Sequence, residues 1–213
     1  GLEVPSHGNF QNLNKGLYQI VEGANRYFIN GYTHSAFAKN YMQNRGISEQ
    51  TCQTFQVGFA PDQWDGLMKR QQNTAQSDLL KAGLIVTNDN GKVYDKFRNR
   101  IIFPIQDKRG RVIAFGGRAV ADEQKPKYLN SPETPLFHKG KELYGLNIAR
   151  KHSNEKSIIV VEGYMDVIAL HQAGIKNSVA TLGTATSQDH IITLLRSYDE
   201  IIFCFDGDKA GRE

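Results

Sequence analysis

The apolar residues in the first part of the chain are spaced as in amphipathic helices. Between residues 11 and 30 they recur every three or four positions, which predicts one long helix with a single buried face. A shorter helix is expected over 36–44, and Ser48 stands where it can cap a third one. Another short helix is predicted over 77–82, because Gly83 follows it as a typical terminator.

Strand-like runs follow this helical region. Gly58 first interrupts the apolar pattern. Residues 100–106 and 111–115 are apolar and β-branched, and the charged Asp-Lys-Arg-Gly between them predicts a hairpin. Three prolines farther along exclude long regular elements, so residues 127–131 are expected to form an extended segment that can lie along a ligand.

From residue 157 onward, strands and helices alternate. Strands are predicted near 158–161, 178–181 and 201–205, with helices near 165–173 and 187–197 between them. This spacing suits parallel βαβ units. The predicted fold class is therefore α/β, with a mixed α+β amino-terminal subdomain followed by a parallel sheet.

Composition argues against several classes of protein and site. The chain has 213 residues, 39% of them hydrophobic, and no apolar run approaches the length of a membrane span. Its amino terminus carries no export signal, so we expect a cytoplasmic protein that does not bind membranes. The two cysteines, Cys52 and Cys204, are too few for a zinc site and are interpreted as reduced core residues.

Charge is distributed unevenly along the chain. Residues 92–141 hold twelve lysines and arginines against five acids, whereas residues 153–213 hold five against nine. Such a basic segment suits a polymer of phosphates, and Arg98 and Arg100 are expected to add sequence-tolerant attraction. The alternative is a solvated basic face without a partner.

Carboxylates follow two of the predicted parallel strands. Glu162 ends the first, and Asp206 and Asp208 end the last, so all three are expected at the carboxyl edge of the sheet. Gathered carboxylates repel one another unless a divalent cation compensates them, which predicts a magnesium or manganese site. Asp166 lies one helical turn after Glu162 and is either a further ligand or a charge that stabilises the helix start.

Polar side chains elsewhere were assigned by type and spacing. Lys127, Tyr128 and Asn130 offer a cation, a stacking ring and an amide, which suits a nucleotide or single-stranded nucleic acid. Trp64 is interpreted as a packing residue, and His190, near a predicted cap, as structural.

The motifs of the carboxyl-terminal part resemble a known family. They are E-G-Y-M-D at 162–166, L-G-T-A-T-S at 182–187 and D-G-D-K-A-G-R-E at 206–213. Together with R-I-I-F-P-I, D-K-R-G-R-V-I-A-F-G-G-R and K-Y-L-N-S-P-E-T upstream, they are similar to the catalytic core of bacterial DNA primases of the DnaG type, which contains a Toprim module.

The resemblance implies a division into a primase core subdomain, 1–152, and a Toprim domain, 156–213. It implies nucleotidyl transfer that makes short RNA primers on single-stranded DNA from ribonucleoside triphosphates, with two or more Mg²⁺ or Mn²⁺ ions. The family's zinc-binding module is not matched, so no zinc is expected here. Contacts to the replicative helicase and to single-strand binding protein are expected through segments outside these residues.

The resemblance also assigns individual residues. Arg45, Arg118 and Lys139 match basic positions of the family that contact nucleotide or template. Because the family's core continues beyond the D-G-D motif, this chain alone is expected to polymerise poorly. Two alternatives remain open from the residues: another Toprim enzyme, either a nuclease or a topoisomerase, and a non-catalytic single-stranded DNA-binding fragment.

Overall fold

The computed structural model describes residues 7–183 and 185–205. The elements of the first part are α1 (His7–Thr33), α2 (Ala36–Gln43), α3 (Glu49–Thr54), β1 (Gly58–Ala60), α4 (Gly66–Arg70), α5 (Gln76–Lys81), β2 (Ile85–Thr87), β3 (Val93–Asp95), β4 (Arg100–Gln106), β5 (Val112–Ala119) and β6 (Tyr128–Asn130). Those of the second part are α6 (Leu146–His152), β7 (Ser157–Val161), α7 (Tyr164–Gln172), β8 (Ser178–Ala180), α8 (Gln188–Leu195) and β9 (Glu200–Phe203).

The long helix α1 lies on an antiparallel sheet with the strand order β1-β4-β5-β6. Its buried face, which includes Val21 and Phe28, packs against Ile102 and Phe115 of the central strands. The sequence suggested that Gly58 interrupts the regular structure, but this residue lies within β1. A side chain there would place its Cβ 2.6 Å from the Cβ of Phe28, so glycine allows the helix to approach the strand.

The predicted hairpin is present and forms the centre of this sheet. Strand β5 continues beyond the predicted end to Ala119 and pairs antiparallel with β4 along its length. The segment predicted as extended adds the edge strand β6, with Tyr128 opposite Arg118 and Asn130 opposite Gly116. The pairing thus brings the polar residues of β6 beside Arg118.

The second sheet is parallel, with the order β8-β7-β9. Helix α7 connects β7 to β8 and ends before Gly174, whose φ of +93° favours glycine. Ser187 caps α8 by accepting a hydrogen bond from the His190 N–H. This part confirms the predicted βαβ pattern, and the α/β fold class is confirmed as a whole.

Two tyrosines join the two sheets. Tyr164, at the start of α7, packs over β5 and stacks on Phe103 with the ring centres 5.2 Å apart. A Cβ at Gly116 would lie 2.3 Å from its ring, so the glycine provides the space for this contact. Tyr144 pairs through its backbone with Ala180 of β8.

The cysteines differ from one another in exposure. Cys52 is buried in the core, as predicted, but Cys204 is exposed just after β9, so its interpretation as a core residue is wrong. The backbone at Cys204 continues the pairing of β9 with β7, because the Cys204 N–H donates to the Val160 carbonyl. Within the described ranges, no helix has the length and apolar character needed to span a bilayer.

Candidate nucleic-acid and metal site

Three of the predicted basic residues line one cleft of about 260 Å³ between α2, β5 and the segment before β6. They are Arg45, Arg118 and Lys127. Arg118 is only 8% exposed, and its Nε donates to the Tyr41 hydroxyl over 2.8 Å. Its Nη1 donates to the Tyr128 hydroxyl, so two tyrosines hold the guanidinium in place.

Arg45 lies on the other wall of this cleft. Its guanidinium stands 4.7 Å from the centre of the Tyr41 ring, a distance typical of a cation–π contact. Tyr41 therefore contacts both arginines. The cleft combines charges from two elements that are distant in sequence, which suits a phosphate group.

A second basic cleft of about 380 Å³ adjoins the first and shares Gln124 and Lys125 with it. Its wall carries Lys96, Arg98 and Arg100. From the sequence, the two arginines were predicted to add only general phosphate attraction, and Lys96 and Lys125 were not predicted as site residues. The two clefts together form a continuous basic surface. We define it by their seven cations, Arg45, Lys96, Arg98, Arg100, Arg118, Lys125 and Lys127, and by Lys139, whose charge acts on Lys96.

Positive charge is concentrated on this surface. Burial lowers the pKa of Lys96 below the usual lysine value, and the nearby charges of Lys139 and Arg100 lower it further. Burial and the charge of Arg98 likewise lower the pKa of Arg100. In the described part of the chain, none of the eight cations is joined to a carboxylate by an ion pair. A bound polyanion would relieve this repulsion.

An exposed aromatic platform lies beside the second cleft. Trp64 is 58% exposed, so its interpretation as a packing residue is wrong. The Arg98 guanidinium stands 4.3 Å from its ring centre and 4.7 Å from that of Tyr94. Stacked cations and rings of this kind bind the bases and phosphates of single strands. The sequence signal was a tryptophan in a polar, proline-containing loop shortly before the basic segment.

Asp95 holds the Trp64 loop in position. Its carboxylate accepts the Leu67 N–H over 2.6 Å and the Met68 N–H over 3.2 Å, which satisfies the start of α4. Its own N–H donates to the Trp64 carbonyl. Burial raises the pKa of this carboxyl group, although the two backbone hydrogen bonds oppose the shift.

Asn130 connects the two sheets. Its Nδ2 donates to the Leu182 carbonyl over 2.9 Å, and its Oδ1 accepts from the Tyr164 hydroxyl. The amide thus makes hydrogen bonds within the protein at both ends. Gly183, with φ +73°, follows in the loop, and a Cβ there would lie 3.3 Å from the same amide nitrogen. In the structure, Asn130 therefore links β6 of the first sheet to the start of α7 and to the loop after β8.

The acidic edge of the parallel sheet begins at Glu162, the residue after β7, whose side chain is partly exposed. Asp166 is exposed on α7, and its Oδ2 accepts the Gly163 N–H over 3.0 Å. It thus has the helix-start role that was one of its two predicted roles. Asp206 and Asp208 lie outside the described residues.

The topology nevertheless bears on whether these carboxylates suit a metal. Strands β7 and β9 are parallel neighbours, with Val160 opposite Phe203, so the chain leaves β9 at the edge where Glu162 lies. Carboxylate oxygens are the ligands that Mg²⁺ prefers. Over 7–183 and 185–205, no three potential ligands are grouped to hold an ion. Glu162 therefore lies at the edge where the metal site is predicted, and the other two predicted ligands fall outside the described residues.

Lys139 lies in the loop 138–142, which precedes α6. Its N–H donates to Glu133 Oε1 over 2.9 Å, and this hydrogen bond, with a contact from His138, lowers the pKa of that carboxyl group. Its charge acts on Lys96, as described above. The loop thereby adds Lys139 to the basic surface.

Two family models match successive parts of the chain. Residues 27–150 match the model of the DNA primase catalytic core, N-terminal domain, and residues 156–213 match that of the Toprim domain. The chain belongs to the DNA primase catalytic-core family. The resemblance inferred from the motifs is confirmed, and the match to the basic amino-terminal part distinguishes this family from other Toprim proteins.

Curated relatives and solved structures agree with this family assignment. The chain is 49% identical to a DNA primase of Pseudomonas putida over its whole length and 48% identical to that of Escherichia coli K12 over 92% of it. It spans about a third of the length of these relatives, 34% and 35%.

Among solved structures, a DnaG primase catalytic domain bound to single-stranded DNA superposes with a TM-score of 0.89 at 47% identity, covering 95% of this chain and 66% of that one. A primase domain from Pseudomonas aeruginosa gives 0.87 at 52%, covering 92% and 63%. The Toprim module and the primase family imply the use of divalent metal ions.

Proposed function

We propose that this chain supplies the template-binding and metal-binding part of a primase that synthesises short RNA primers on single-stranded DNA. The observation that supports this most directly is the continuous basic surface, which extends from the Trp64 platform past Arg98 and Arg100 to the Arg118 cleft. From there, the linked Tyr128, Tyr164 and Asn130 lead to the carboxyl edge of the parallel sheet. A strand bound along this surface would reach the acidic edge.

Each part of this surface has a distinct task in the proposal. Arg98, Arg100 and Lys125 attract the phosphates of the template, while the Trp64 and Tyr94 rings stack on its bases. Arg118 and Arg45, oriented by Tyr41, bind phosphates in the smaller cleft. Lys127 and Lys139 extend this charge toward the sheet.

The acidic edge has the complementary task. Glu162, Asp206 and Asp208 would hold Mg²⁺ or Mn²⁺, which when bound neutralises the nucleotide triphosphate and stabilises charge on the entering and leaving oxygens. Asp166 supports this edge by fixing the turn at Gly163. A second possible role of Glu162 is to accept the proton of the attacking hydroxyl group instead of binding a metal ion.

The division at 1–152 and 156–213 stays a prediction, as do a cytoplasmic location and contacts to helicase and single-strand binding protein through other segments. For the template, the relative solved with single-stranded DNA supports the proposal. Because the chain spans about a third of its curated relatives, activity is best tested in a full-length primase that contains this segment.

The test of activity uses single-stranded template, labelled ribonucleotides and Mg²⁺ or Mn²⁺. Primase activity makes labelled products grow, and Glu162→Gln abolishes the growth while template affinity is retained. Shortening of a labelled template would instead support a nuclease. Template binding without synthesis in the full-length protein would support a non-catalytic binding module.

The test of template binding uses the 213-residue chain. Its single tryptophan makes intrinsic fluorescence a reporter of Trp64 alone, and stacking of an oligothymidylate should quench it. Arg98→Ala should weaken binding and reduce the slope of log K against log salt by about 0.7, the value for one phosphate contact on a single strand. Arg26→Ala, which removes an exposed cation of α1 that is paired with Glu22, is the matched control and should change neither.

A further inference from the structure

The first turn of α8 holds the loop 138–142 from the other subdomain. His190 is fully buried, and its Nε2 lies 3.0 Å from the Lys139 carbonyl and 3.1 Å from the Glu142 carbonyl. Ser187 Oγ donates to the Gly140 carbonyl over 2.5 Å. Three carbonyls of a five-residue loop therefore receive hydrogen bonds from one helix terminus.

The partners of the His190 ring define its tautomer. Because carbonyl oxygens only accept, Nε2 must carry the ring proton. Nδ1 lies 3.2 Å from the Ser187 N–H and must accept from it. The ring is thus a neutral imidazole with both nitrogens engaged, and burial lowers its pKa, which favours that form.

The two ring nitrogens of His190 have different roles. The Nδ1 contact belongs to the reciprocal cap of α8, in which the His190 N–H also donates to Ser187 Oγ over 3.1 Å. The Nε2 contacts contribute nothing to the helix and bind only the loop. A residue selected for capping alone would not need them.

The loop so held carries Lys139 of the basic surface. The Lys139 backbone is fixed on both sides, since its N–H donates to Glu133 and its carbonyl accepts from His190. The backbone position from which its side chain extends is therefore set by contacts to Glu133 on one side and to His190 on the other. Its charge reaches Lys96 in the second cleft.

We propose that His190 is a positioning residue, which through its Nε2–H fixes the backbone of Lys139 so that this lysine contributes to phosphate binding. The inference rests on the proposed function, in which Lys139 binds template or nucleotide. It makes a residue of the Toprim part responsible for the placement of a cation from the other subdomain.

Two substitutions at His190 separate loop holding from helix capping. In His190→Asn the side-chain oxygen can still accept near the Nδ1 position, but no donor reaches the loop. In His190→Gln the amide nitrogen can reach the Nε2 position and donate to the loop carbonyls. Leu194→Ala is the matched control, because it creates a cavity under the same helix and leaves the hydrogen bonds from Ser187 and His190 to the loop in place.

The experiment measures hydrogen exchange and binding on the 213-residue chain. Exchange of the 138–142 amides should be about two- to tenfold faster in His190→Asn, the factor expected for one lost hydrogen bond, and near wild type in His190→Gln. Affinity for a labelled oligothymidylate and for ATP should fall in His190→Asn as it falls in Lys139→Ala. The double variant should lose no more affinity than Lys139→Ala alone.

The outcomes separate the proposal from the function on which it rests. If the 138–142 amides exchange no faster in His190→Asn than in Leu194→Ala, the holding role of His190 is refuted. If exchange accelerates but Lys139→Ala binds both probes normally, the assignment of Lys139 to phosphate binding fails, and positioning through it fails with it. Additive losses in the double variant would also contradict the proposal.

Discussion

Replacement of Asn130 tests whether this residue is primarily a link between the two sheets. Its side-chain amide donates to Leu182 and accepts from Tyr164, so Asn130→Ala removes both hydrogen bonds at once. The Tyr164 hydroxyl belongs to a side chain that is only 5% exposed. It would be left in a buried position without its acceptor.

The magnitude follows from these two contacts. A net hydrogen bond contributes about 0.5–1.5 kcal/mol, and a buried polar group left unsatisfied costs about 1–3 kcal/mol. We therefore expect Asn130→Ala to lower the free energy of unfolding by about 2–3 kcal/mol. For a protein of this size, that corresponds to a fall in Tm of about 4–12 °C.

Thermal unfolding followed by circular dichroism measures this loss. Tyr164→Phe removes one of the two hydrogen bonds together with the hydroxyl that would be stranded, so its Tm should fall by less. Lys127→Ala, three residues before Asn130 and exposed, is the control that should weaken DNA binding and leave Tm unchanged. An Asn130→Ala protein with wild-type Tm and weakened DNA binding would refute the structural role and support a direct contact instead.

Three further predictions concern other positions. Gly116→Ala should lower stability by about 1–3 kcal/mol, measured by denaturant unfolding, because its Cβ would lie 2.3 Å from a packed tyrosine ring; an unchanged midpoint would contradict that packing. Asp95→Ala should cost about 2 kcal/mol as a lost helix cap, because the carboxylate no longer accepts from the first N–H groups of α4. Since α4 begins just after Trp64, the fluorescence of Trp64 should shift as well; an unshifted spectrum would show that the loop stays fixed without this carboxylate. Burial lowers the pKa of His190, and the hydrogen bonds to the Lys139 and Glu142 carbonyls and the charge of Asp189 oppose this shift without cancelling it. The unfolded state therefore binds more protons below about pH 6.5, so stability should decrease as the pH is lowered there, and decrease less steeply in His190→Asn; parallel pH curves would argue against this origin.

Local patterns in the sequence predicted much of the fold. The βαβ units were predicted because buried parallel strands are short, continuous apolar runs and the helices between them have clear termini at Ser187 and Gly174. The hairpin was predicted because a charged turn separates two β-branched runs. Gly58 was misjudged because its role depends on the approach of Phe28, thirty residues earlier, which no local pattern encodes.

The candidate site also has features that local sequence predicted and features that depend on long-range contacts. Residue type and local spacing were enough to predict that carboxylates end parallel strands and that cations are concentrated in one segment. Which cations lie together depends on long-range folding: Arg45 and Arg118 both contact Tyr41, and Lys125 lines both clefts.

Tertiary structure also decided what individual polar groups do. Trp64 is exposed beside Arg98, Asn130 joins the sheets, and the buried His190 holds the loop of Lys139. A side chain's exposure and partners depend on residues brought together by folding, fifty-two positions apart for Asn130 and Leu182. Type and spacing therefore predicted the chemistry of this protein, whereas long-range packing assigned the role of each residue within it.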